Sequence, residues 1–159
     1  MKQPIDGLRA AAALAALSGL WLAGLGSADE PAVAYVGAEA CGECHAEQYH
    51  SYEQNAAKAH SFQSVQLMRR GLTEDELRAC YGCHTTGYGS PGGFVSETET
   101  PHLSNAGCEV CHGPGQAHLE SMDASDIVGS PPIRTCERCH NAARVAEFGY
   151  KPMLYAGGH

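Results

Sequence analysis

Cys80-Tyr81-Gly82-Cys83-His84 decides how this chain is read, because the same pattern returns three more times, as Cys41-Gly42-Glu43-Cys44-His45, Cys108-Glu109-Val110-Cys111-His112 and Cys136-Glu137-Arg138-Cys139-His140. The four copies use all 8 cysteines. With 9 His in 159 residues, four chance placements of His directly after a second Cys have odds on the order of 1 in 100,000. Two thiols three residues apart suit the two vinyl groups of one porphyrin, and the imidazole of the next residue then lies under the iron. This is the attachment pattern for c-type haem. A four-thiolate zinc site needs Cys-x-x-Cys pairs but no His after each one. A disulfide framework needs none either. The sequence therefore implies four covalent haem c groups, with His45, His84, His112 and His140 as proximal iron ligands.

Composition agrees with a core built around something other than Leu and Phe. Hydrophobic residues are 43% and aromatics 7%, while Gly reaches 19. Four haems in the chain beyond its leader leave roughly 33 residues for each, so porphyrin must supply much of the buried apolar surface. The charge of -8 argues against nucleic acid and anionic membranes as partners. Lys2 and Arg9 precede an uncharged run from Ala10 to Leu25, and Gly26-Ser27-Ala28 follows. That order reads as a signal peptide over residues 1–28, cleaved to leave 29–159. The run is too short and too Ala-rich for a spanning helix, so no stable membrane insertion is expected. The protein is expected in the periplasm or outside the cell.

Between the motifs, Cys41 to about Ser64 is dense in Ala, Glu, Gln and Lys, which predicts one helix carrying His45, Tyr49 and Tyr52 on a single face. Thr73 and Glu76 predict a capping box, with Leu72 stapled onto Leu77, for a helix running into Cys80 and His84. The Gly-rich stretch from Thr85 to Gly107 should be irregular, and Gly113-Pro114-Gly115 should turn. A short helix is expected over Gln116 to Met122, a loop over Asp123 to Ile133, and a helix over Thr135 to Glu147. Five histidines are left over for distal positions: His50, His60, His102, His118 and His159. Mostly bis-histidine haems follow, with closed axial positions that favour electron transfer over substrate binding. His50 lies five residues past His45 on the same helix and should point elsewhere.

Two stretches then carry a resemblance. Cys80 to Phe94, with Gly87-Tyr88-Gly89 and Gly92-Gly93-Phe94 after the haem motif, and Gly107 to Gly115, read as Gly-Cys-Glu-Val-Cys-His-Gly-Pro-Gly, resemble the tetrahaem cytochrome c-554 family. Members of that family carry electrons away from hydroxylamine oxidoreductase in ammonia oxidisers. The resemblance implies a mainly α fold with extensive loops, built as a small multihaem cytochrome c around four haems. It also implies distal ligands: His118 for the first haem, His60 for the fourth and His159 for the third. A ligand six residues past His112 that serves the first iron would hold the first and third haems close. The family's second haem resembles a site with no distal protein ligand. Here His102, in Thr100-Pro101-His102-Leu103, either closes that haem or is a loop residue near it.

The function implied is electron transfer between redox partner proteins, a donor and an acceptor, with no catalytic residues. Two alternatives stand beside it. An open second haem would serve a small-molecule reductase acting on nitric oxide, nitrite or hydroxylamine. A homo-polymer, in which a histidine such as His159 ligates a haem of the next subunit, would make a conducting filament.

Overall fold

A computed structural model describes residues 34–141. The predicted leader, His159 and the far end of the predicted helix over Thr135 to Glu147 lie outside them. Helices with long connections make up the fold, and there is no strand among the described residues. The order is α1 (Ala38–Gly42), α2 (Ala46–Asn55), α3 (Ser61–Met68), α4 (Glu74–His84), α5 (Glu109–His112), α6 (Gln116–Ser121) and α7 (Ile133–Glu137). No described helix is long and apolar enough to cross a membrane.

The single helix expected from Cys41 to Ser64 is instead three pieces. His45, at φ -109° and ψ 51°, separates α1 from α2. Ala56, at φ -93° and ψ 117°, ends α2, and a 3-10 turn over Ala57–His60 leads into α3. Neither Gly nor Pro causes the second break. Ala56 and Ala59 are buried with Tyr52, so burial of small side chains overrides a strong local helix preference. Tyr52 donates from its hydroxyl to the Ala106 carbonyl at 3.3 Å, which ties α2 to the segment before the third motif.

α4 follows its sequence closely. The Thr73 hydroxyl accepts from the Glu76 backbone, and the Glu76 carboxylate accepts from the Thr73 N–H at 2.8 Å. Leu77 is buried and Leu72 packs on the same cluster. That cluster joins Phe62 and Val65 of α3 to Leu77, Phe94 and Leu103. Tyr81 meets Phe94 edge-on, with ring centres 5.3 Å apart. The stretch from Thr85 to Gly107 is irregular, as expected, apart from one 3-10 turn over Pro101–Leu103. Its polar groups are nonetheless paired: Thr86 N–H donates to the Leu103 carbonyl, Phe94 N–H to the Thr86 carbonyl, and the Thr86 hydroxyl to the Asn105 carbonyl. Gly113, at φ 84°, makes the turn after α5, a conformation that favours glycine. α7 begins after Pro132 and ends at Glu137, earlier than the sequence suggests.

Candidate haem centre

Each Cys-x-x-Cys-His run closes one helical turn. In the first, third and fourth motifs the His N–H donates to the carbonyl of the first Cys, at 2.8, 3.0 and 2.9 Å. The second motif is the last turn of α4. A turn of this kind places the two cysteines and the histidine on one face. None of the eight cysteines is in a disulfide. No three His, Cys, Asp or Glu side chains among the described residues converge to hold a bare metal ion.

The motifs meet in pairs. Cys41 of the first and Cys108 of the third share a hydrogen bond. That bond is the main cause of a Cys41 thiol raised well above its ordinary range and a Cys108 thiol lowered below it. Cys139 of the fourth motif is pushed up to about 12 by burial and then by a hydrogen bond with Cys83 of the second. Two clefts lie at these junctions. The larger, about 290 Å³, is lined by Cys41, Cys44 and His45, by Cys108 and His112, and by His118. The other, about 210 Å³, is lined by Cys83, Cys111, Cys136, Cys139 and His140, with Ala56, Ala57 and Lys58 on its wall.

In the larger cleft the rings of His45 and His118 are 6.4 Å apart, centre to centre, with planes 20° from parallel. Rings in face contact would be closer. Two imidazoles on one metal need about 2 Å from each nitrogen to the metal and roughly 1 Å from nitrogen to ring centre, or about 6 Å in all. His45 and His118 would thus be the imidazoles available to hold one iron, beside the two thiols that would carry its porphyrin. Val36, Ala40, Leu119 and Ile127 give the cleft the apolar walls a porphyrin face requires.

Backbone carbonyls orient several rings. Nδ1 of His118 donates to Asp123 at 2.8 Å, Nδ1 of His112 to Val128 at 2.6 Å, and Nδ1 of His84 to Ser61 at 2.7 Å. A ring held this way presents Nε2 as the ligating nitrogen. Met122, at φ 57°, turns the chain after α6 so that the Asp123 carbonyl comes back to His118.

The remaining histidines differ. Nε2 of His60 faces the Glu53 carbonyl at 3.1 Å. His60 does not line the smaller cleft; Lys58, two residues before it, does. His102 is exposed and lines neither of the two clefts above; its ring lies against Gly37. His50 is exposed on α2. Two further residues belong to the centre without having been singled out by the sequence. Ser61 donates to the His84 carbonyl at 3.0 Å and accepts from Ala106 N–H at 3.0 Å, and a Ser at a helix start carries no signal of such a role. Glu109 is 3% exposed and accepts three backbone N–H bonds. Its one sequence signal is an acid enclosed between two motif cysteines. Its charge adds to the rise of the Cys41 thiol.

Helical turns presenting paired thiols and an imidazole, around apolar clefts, define a multihaem c-type cytochrome whose cofactor is covalent haem c, four per chain. Residues 40–113 match the family model described as cytochrome c554 and c-prime. Cytochrome c-554 of Nitrosomonas europaea is 35% identical over 120 residues, which are 69% of this chain and 48% of that protein. The chain thus spans about half the length of this curated relative. The solved structure of reduced cytochrome c554 from Nitrosomonas europaea aligns with a TM-score of 0.47 and 26% identity, over 69% of this chain and 66% of that one. Over the matched residues, the chain is similar to the cytochrome c-554 family.

Proposed function

We propose that the protein is an exported electron carrier that passes single electrons between a donor and an acceptor protein in the periplasm or outside the cell. Cys41 and Cys44, Cys80 and Cys83, Cys108 and Cys111, and Cys136 and Cys139 would each bind one haem through thioether bonds. His45, His84, His112 and His140 would be the proximal ligands. His118 would be distal to the first iron, His60 to the fourth and His159 to the third. Haem supplies the redox chemistry; the chain holds the ligands, excludes water and brings the four centres together. The observation that carries this reading is the near-parallel pair of His45 and His118 across a cleft bordered by both thiols of the first motif. Closed axial positions favour outer-sphere electron transfer over substrate chemistry. The meeting of the first motif with the third and of the second with the fourth supports short paths between centres. We leave His102 out of the ligand set, because its contact with Gly37 supports a packing role.

The test is one preparation of secreted holoprotein. Mass spectrometry of the denatured chain should find four covalent haems, a mass ending the leader after Ala28, and no zinc. Electron paramagnetic resonance should show low-spin iron at the first, third and fourth haems. Fewer than four haems, or high-spin iron at three or more centres, would overturn the proposal.

A further inference from the structure

The axial-ligand scheme leaves the Glu109 carboxylate without a role, yet it is among the best-held side chains in the molecule. Oε1 accepts from Val36 N–H at 2.9 Å and from Gly115 N–H at 2.7 Å, and Oε2 accepts from Gly37 N–H at 2.8 Å. The donors come from two distant segments. Val36 and Gly37 lead into α1 and hence to Cys41. Gly115 closes the turn after His112 and leads into α6, which carries His118. One side chain in the third motif therefore fixes the entrances of both elements that face each other across the larger cleft. Gly37 suits this junction, with φ 85° and no room for a side chain against His102. Glu109 also lines the cleft itself, and on its other side a cavity of about 80 Å³ shared with Arg138.

Resting on the haem reading above, we propose that Glu109 is a positioning residue for the first and third haem centres and the buried negative charge that holds their reduction potentials down. Taking one electron from a protein donor lowers the positive charge of an iron centre by one. An anion fixed in a water-poor wall interacts more strongly with the oxidised, more positive state, and so opposes that uptake. Three neutral N–H donors keep the charge in place without cancelling it. A hydrophobic side chain would fill the same space with no desolvation cost, but it would leave three N–H groups unpaired and supply no field.

The experiment is a potentiometric titration of the holoprotein, followed by visible absorbance and by the low-spin resonances of individual haems, on wild type, Glu109→Gln, Glu109→Asp and Arg138→Gln. Wild type is first shown to carry four haems; failure there defeats the haem reading and not this one. At a fixed poise, Glu109→Gln should raise the ferrous-to-ferric ratio of the first and third haems about tenfold, equivalent to about 59 mV for a one-electron couple. Glu109→Asp, which keeps the charge, should stay within about twofold of wild type. Unchanged potentials in a fully loaded Glu109→Gln, or equal shifts in the Gln and Asp variants, would overturn the proposal. Should Glu109→Gln fail to load four haems, Arg138→Gln decides. Removing the opposing cation should lower the ratio at the first and third haems, and no change or a rise there would refute the role of charge.

Discussion

Replacing His118 by Ala tests the pairing of the first motif with α6. The ring sits 6.4 Å from His45 and is held, among the described residues, by a hydrogen bond from Nδ1 to the Asp123 carbonyl at 2.8 Å. Losing that bond costs about 1 kcal/mol of stability. The thioether bonds remain, so the haem stays in place and only its distal ligand goes. One iron in four should turn high-spin, a quarter of the total intensity, while the other three are unchanged. Reduced protein should bind one more equivalent of carbon monoxide than wild type. Added imidazole should enter the space left by the ring and restore the low-spin signal. Resonance intensities, carbon monoxide titration and the imidazole rescue are read on one sample. The reasoning is refuted if the low-spin intensity of the variant equals that of wild type, or if the change falls on a haem other than that of the first motif.

Thr73→Ala should lose about 1 kcal/mol with the capping box, read by denaturant unfolding, and still take up four haems. The N–H and then the hydroxyl of Thr73 hold the Glu76 carboxyl below its ordinary value of 4.5. A depressed folded pKa gives stability that is full above 4.5 and lost as pH falls through the folded value. Wild type should therefore have a steeper acid limb below 4.5 than Thr73→Ala, and equal slopes would contradict the cap. Gly93→Ala would drive its methyl into the Gly87 carbonyl and should cost about 3 kcal/mol, whereas Gly71→Ala, in open space, should leave the unfolding midpoint close to wild type. A Gly93→Ala protein as stable as wild type would mean the 87–93 loop is packed differently.

The four Cys-x-x-Cys-His runs made the cofactor and its number legible in the sequence, because covalent attachment demands fixed residues at fixed local spacing. Thr73, Glu76, Leu72 and Leu77 made α4 legible in the same way, since a cap depends only on neighbours within one turn. The break at Ala56 was not legible. It arises where the buried Ala56 lines the cleft of the fourth motif, a contact between residues far apart in sequence that no local preference reports. The placement of His102 against Gly37 and the meeting of Cys41 with Cys108 are of the same kind. Glu109 shows the division most plainly. In sequence it is one acid among 18. Only the tertiary structure, by bringing Val36, Gly37 and Gly115 to one carboxylate, makes it the joint on which the first and third motifs are assembled, because a buried charge persists only where distant backbone donors converge on it.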